Sequence, residues 1–224
     1  NVPAYRGLAY IVFERLPLAA FGNRLPQLSF EVIRAAGGAE TQVRAVSIIP
    51  GSTEFGYDTE IVTRQADEGV TLSENAHASA ERSDFDVSLD HLTATCRKVG
   101  AASLVVAWFG NDLRCGQCEI RPGVDAAEKE TAPEAWRVNG ISRGAAHLVS
   151  RSDGGPAYGG TPSDETVVRL IRELKNRGYE VVLYPFVMMD IPAGNGLPDP
   201  YGGAEQGAYP WRGRITCHPA PDRG

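Results

Sequence analysis

The sequence predicts an α/β fold resting on a parallel sheet, with a short β-rich segment ahead of it. Three observations carry this. Apolar runs at 43–49, 102–109 and 180–186 read as strands apolar on both faces, as strands covered on both sides by helices are. Two amphipathic stretches with helix start and stop residues, 89–99 and 164–177, precede the second and third of these runs. Each run is followed by a polar or turn-forming segment, which gives the strand–helix–strand rhythm of a parallel sheet.

In chain order, Leu8, Tyr10 and Val12 alternate with Ala9, Ile11 and Phe13 in a run without helical period, which predicts a strand over 8–13. The breakers Leu16-Pro17 and Gly22-Asn23 follow. A second strand is expected over 28–33, with Leu28, Phe30 and Val32 on one face. An isolated hairpin of this kind is marginal in water and has to pack on something else. Gly37-Gly38 then separates a segment 1–40 from a second domain, 41–224.

In the second domain the strand at 43–49 ends at Pro50-Gly51, and a polar stretch over about 57–87 shows no clear period. Ser88 offers an N-cap to a helix carrying Leu89, Leu92, Cys96 and Val99, with Gly100 as its stop. The strand 102–109 closes on Gly110-Asn111-Asp112. Residues 113–160 interrupt the rhythm, and the runs 119–124 and 145–150 in them suggest a small β insertion. Thr161-Pro162-Ser163-Asp164-Glu165 combines a hydroxyl cap with two acids at the positive end of a helix dipole. Val167, Val168, Leu170, Ile171 and Leu174 form that helix's apolar stripe, Lys175 and Arg177 fill its last turn, and Gly178 ends it.

Composition narrows the function classes. With 224 residues and 42% hydrophobic content the chain can bury a core, and no run reaches the roughly 18 apolar residues of a membrane span. The net charge is −6 and the basic residues are scattered, so a nucleic-acid groove has no support. No secretory signal pattern opens the chain, and a start at Asn1 is expected of a piece of a longer or processed protein. The 25 glycines and 15 prolines predict many turns and irregular connections.

Two blocks resemble a known family. The first runs from Gly7-Leu8-Ala9-Tyr10-Ile11-Val12-Phe13-Glu14 through Leu16-Pro17-Leu18 and Phe21-Gly22-Asn23-Arg24-Leu25-Pro26-Gln27-Leu28-Ser29-Phe30-Glu31-Val32. It looks like the end of the hub region of tailed-phage tip proteins. The second takes in Ile48-Ile49-Pro50-Gly51 with Glu54-Phe55, Ser103-Leu104-Val105-Val106, Trp108-Phe109-Gly110, and Tyr158-Gly159-Gly160-Thr161-Pro162-Ser163-Asp164. It continues through Tyr184-Pro185-Phe186, Met188-Met189-Asp190-Ile191-Pro192 and Tyr209-Pro210-Trp211-Arg212-Gly213-Arg214. This block is similar to the TIM-barrel-like domain of the largest tail protein of gene transfer agents and related phages.

The resemblance implies a virion component of the tail tip or baseplate hub, assembled in the bacterial cytoplasm. Its implied partners are other tail and baseplate proteins, with a homotrimeric arrangement, and a cell-surface glycan. It also implies a partial TIM-barrel-like (β/α) domain in 41–224. That segment is shorter than the about 250 residues of a full barrel and shows three strand–helix units, so the barrel is expected to be truncated. The likeness of such domains to glycoside hydrolases is one of fold, and fold alone carries no activity.

Barrel active sites form at the C-terminal ends of the strands. The candidate catalytic residues are therefore Glu54, Asp112 and Asp190, one after each strand. A glycosidase needs two carboxyls about 5–5.5 Å apart for retention or about 6.5–9.5 Å for inversion. Trp108 and Tyr184 are the candidate sugar-stacking aromatics; the plainer reading makes Trp108 core and the acids helix caps or a solvated rim. Three readings stand: a structural hub segment, a hydrolase of cell-wall or capsular glycan, and a carbohydrate-binding module.

Cys115-Gly116-Gln117-Cys118 has the spacing of half a zinc site, but structural zinc takes four ligands. Cys217-His218 lies far along the chain and Cys96 falls on the apolar helical face, so no metal and no cofactor is expected. The histidines His77, His91, His147 and His218 show no ligand spacing, and His91 is expected on a helix surface. No phosphate-binding glycine motif follows a strand, and no serine nucleophile elbow is present.

Overall fold

The computed structural model describes residues 15–22, 24, 26, 28, 30, 37–49, 54–210 and 215–217. The chain divides into two compact units, Asn1–Ile33 and Arg34–Gly224. In the first, a 3-10 turn spans Leu18–Phe21 and is closed by Gly22, whose φ of 66° is the left-handed conformation that glycine adopts without strain. The strand expected over 8–13 lies outside the described residues, as does most of that expected over 28–33. Leu28 and Phe30 are described, exposed, and not in a strand.

The second unit is mixed α/β. Strands β1 (Ala45–Ile48), β4 (Ala101–Gly110) and β13 (Glu180–Met189) form a parallel sheet in the order β1-β4-β13. Helix α1 (Asp84–Thr95) lies in the connection from β1 to β4, and α2 (Asp164–Asn176) in that from β4 to β13. Sequential strand order with helical crossovers follows from short, right-handed connections. The register is unbroken from Glu180 opposite Ala101 to Met189 opposite Gly110. Glu180 and Asp190 send their N–H to Gly100 and Gly110, so even-numbered N–H groups face β4 and Pro185 falls on the outer edge. There its missing N–H costs no ladder bond. The described residues form no closed barrel.

Both helices start on serine caps. Ser163 accepts from the Thr166 N–H, and Asp164 and Glu165 fill the first turn, as the sequence predicts. In α1 the cap is Ser83, not Ser88, and the helix ends at Thr95, not Val99. Phe85 and Leu89 from α1, Leu170 and Leu174 from α2, and Ala102 and Leu104 from β4 make one core with Tyr57 and Tyr179. Each leucine buried this way contributes about 1.5–3 kcal/mol.

The stretch read as polar and aperiodic holds a hairpin, β2 (Thr63–Asp67) with β3 (Val70–Ser73). Gly69, with φ of 72°, makes its turn. The insertion is built of strands of two residues each: β5 (Ile120–Arg121), β6 (Gly123–Val124), β7 (Thr131–Ala132), β8 (Arg137–Val138), β9 (Ile141–Ser142), β10 (His147–Leu148), β11 (Arg151–Ser152) and β12 (Gly155–Pro156). The two runs expected to be β do meet, because β6 and β10 pair in parallel. A second core of Phe55, Val62, Val124, Trp136 and Val138 fastens the insertion to the sheet.

Candidate functional site

All three candidate carboxylates lie where expected, after β1, β4 and β13, and all three are buried: Glu54 is 0% exposed, Asp112 4% and Asp190 4%. A buried carboxylate is tolerated only when paired and hydrogen-bonded, and each of these has its own partners.

Glu54 is held by two nearly parallel contacts from Arg143, Nη1 to Oε1 at 3.0 Å and Nη2 to Oε2 at 2.6 Å. The Asp125 N–H donates to the same Oε1 at 2.9 Å. Lys129 Nζ stands 3.5 Å from Oε2 and bridges onward to Glu74 at 3.1 Å and Asp125 at 2.7 Å. Burial pushes the Glu54 carboxyl up against the pull of Arg143 and Lys129. Burial would lower Lys129, but the surrounding acids, Glu54 first, hold it up. Arg143 also lies over the Trp136 ring at 5.7 Å. The fit is tight, since a Cβ on Gly160 would sit 2.4 Å from Glu54 Cγ.

Asp112 accepts from the Arg114 N–H at 2.8 Å, from Arg114 Nε at 2.9 Å and Nη2 at 2.6 Å, and from Gln206 Nε2 at 2.9 Å. Arg114 foremost, with Gln206, holds its carboxyl down to about 2. Gln206 in turn accepts the Leu113 N–H at 2.8 Å, so the loop after β4 is locked to the segment around Gln206.

Asp190 Oδ2 lies 2.6 Å from His147 Nε2 and accepts the Ser150 N–H at 2.9 Å. Burial pushes the Asp190 carboxyl up, but His147 and Ser150 outweigh it and bring it below the usual range. Its other oxygen, Oδ1, is buried without a hydrogen-bond partner among the described residues. Tyr158 lies close, its phenol raised to about 12 by burial and by the Asp190 charge.

Among the described residues the three acids share no hydrogen-bond partner, and no hydrogen bond or ion pair joins any two of them. Of the aromatics, Trp108 is partly buried and packs against the Phe55 and Trp136 core. Tyr184 is 48% exposed on β13 and stands edge-on to Phe186 with ring centres 5.8 Å apart. An open cleft of about 530 Å³ borders the Glu54 cluster. Its two lining cations, Lys129 and Arg143, are committed to acids, and its rim residues Asp67, Glu128 and Glu130 are acidic.

Sequence reasoning missed the partners. Lys129, Arg143 and His147 all come from the insertion, and no local pattern marks a residue that pairs across 89 positions, as Arg143 does with Glu54. It also missed Asp58, which is 0% exposed, takes a two-pronged contact from Arg169 of α2 and accepts the Thr166 hydroxyl at 2.6 Å. His91 is on α1 and exposed, as its helical position predicts. Cys217 is not remote from the cysteine pair: Thr216 bridges Arg114 beside it, whereas Cys118 packs toward Leu113 and Met189. Among the described residues no group of three or more His, Cys, Asp or Glu is placed to hold a metal ion. The chain matches no family model and no curated protein.

Proposed function

We propose that this chain is a structural segment of the tail tip or baseplate hub of a phage-like particle of the gene-transfer-agent kind, with 41–224 forming a sector of a TIM-barrel-like domain. In this reading it assembles with other tail proteins as a homotrimer and meets the host envelope during DNA delivery. The observation that carries the non-catalytic part is the separate closure of the three strand-end acids. Each is engaged in holding a loop or the insertion in place, and a glycosidase pair would have to face one bond together. The order β1-β4-β13 with helical crossovers is what a barrel sector requires.

The test is location. Antibody raised against the chain should label the tail tip of purified particles by immunogold microscopy. Label confined to cell lysate, with none on particles, would end this reading. A glycan hydrolase is the second reading, and one feature favours it: Asp190 holds a partly exposed imidazole at a strand end and keeps one oxygen unpartnered among the described residues. Release of reducing ends from peptidoglycan or capsular polysaccharide, lost in Asp190→Asn, would favour that second reading instead.

A further inference from the structure

Three thiols come close to the loop after β4, and the backbone sorts them. Arg114 and Thr216 form a parallel bridge. The Cys115 N–H donates to Thr216 O at 2.9 Å, and the Thr216 N–H donates to Leu113 O at 2.7 Å. Cys115 opens the turn that follows Arg114, and its N–H is bonded to the carbonyl immediately before Cys217, so the two cysteines are neighbours across the bridge. Neighbouring strands run about 4.8 Å apart, inside the about 4.4–6.8 Å between α-carbons that a disulfide spans. Both residues are exposed, and the neighbouring Cys217 thiol pushes the Cys115 thiol up. Cys118, the other half of the Cys-x-x-Cys pair, instead packs against Leu113, Met189 and Ile191. Cys96 caps the end of α1.

The geometry points to Cys115 and Cys217 as a thiol–disulfide exchange site, oxidised by small disulfides of the glutathione type, whose closed form staples the 215–217 segment to the loop after β4. The thiolate of one cysteine attacks the small disulfide, forming a mixed disulfide and releasing one small thiol. The second cysteine, as thiolate, attacks the protein sulfur of that adduct and displaces the other. The protein loses two thiol hydrogens, and the small disulfide is reduced to two thiols. The pair lies beside the Asp112–Arg114–Gln206 network, so closure braces that loop from its second side. The exchange site stands independently of the tail-tip reading.

The test is incubation of the whole chain with oxidised glutathione, alkylation of remaining thiols, and tryptic mapping. The expected product links the peptides 115–129 and 215–223, with the intact mass lowered by two hydrogens. Because 115–129 also carries Cys118, the assay is repeated on Cys118→Ser, which keeps the link, and on Cys115→Ser, which loses it. The oxidised wild type melts above the reduced form, and Cys118→Ser retains that rise. A Cys115–Cys118 bond, stable glutathione adducts on both cysteines, a disulfide between two chains, or four thiols left free would each overturn the proposal.

Discussion

Replacing Asp112 by asparagine tests whether the acid after β4 serves the fold. The carboxylate takes three contacts from Arg114 and one from Gln206. These bring its pKa to about 2 from an ordinary 3.8. At about 1.4 kcal/mol per unit, the charged form contributes about 2 kcal/mol to the folded state at neutral pH. A carboxyl depressed on folding stabilises fully above its unfolded value, and that contribution fades as pH falls from about 4 to about 2. The asparagine amide keeps an acceptor oxygen but loses the charge, so Asp112→Asn should melt about 4–8 °C below wild type at pH 7. The gap should narrow in the acid window, because wild type then loses what the variant already lacks. Calorimetry at stepped pH measures both. Equal melting temperatures at pH 7, or a gap that does not change toward pH 2, would refute a structural role for the Arg114 pairing.

Other outcomes follow from the same geometry. Glu54→Gln removes the charge facing Arg143 and Lys129 in a dry site, and should lower stability by about 3–5 kcal/mol in urea unfolding. Gly160→Ala drives a methyl into Glu54 and should cost about 1–3 kcal/mol by the same measurement. Val182, Leu183 and Tyr184 leave about half of their surface open on the edge strand β13, so light scattering should show concentration-dependent association that Leu183→Lys reduces. The chain should release no reducing ends from peptidoglycan, and should match Asp190→Asn in that assay.

What is legible in the sequence is what local physics determines. The strands at 102–109 and 180–186 are marked by their continuous apolar runs, and the structure only lengthens them, to Gly110 and Met189. The start of α2 is legible because Ser163, Asp164 and Glu165 are adjacent signals. The apolar pattern places the start of α1 five residues late, although Ser83 with Asp84 and Asp86 offers the same signal. Phe85 stands four positions before Leu89 and begins the buried face, but the small and polar residues from Ser73 to Asp84 leave it without a large apolar neighbour ahead of it. The hairpin β2–β3 has little burial to pattern it, and its strands are mostly exposed. Positions of the candidate acids can be read from strand ends. Their partners cannot, because a salt bridge between distant residues leaves no mark on either one's neighbours.

The pairing of Glu54 with Arg143 and Lys129, and of Asp190 with His147, gives the 113–160 insertion a second meaning. It supplies the hydrogen-bonding partners of acids that follow the sheet strands, so it cannot be trimmed as surface loops usually can. Excising it would leave two carboxylates without their partners and would also strip Val124, Trp136 and Val138 from the core around Phe55 and Val62. Drift of this sequence is coupled in the same way: a change at Glu54 is tolerable chiefly when the insertion gives up its facing cations too. Segments far apart along the chain are thereby bound to vary as one unit.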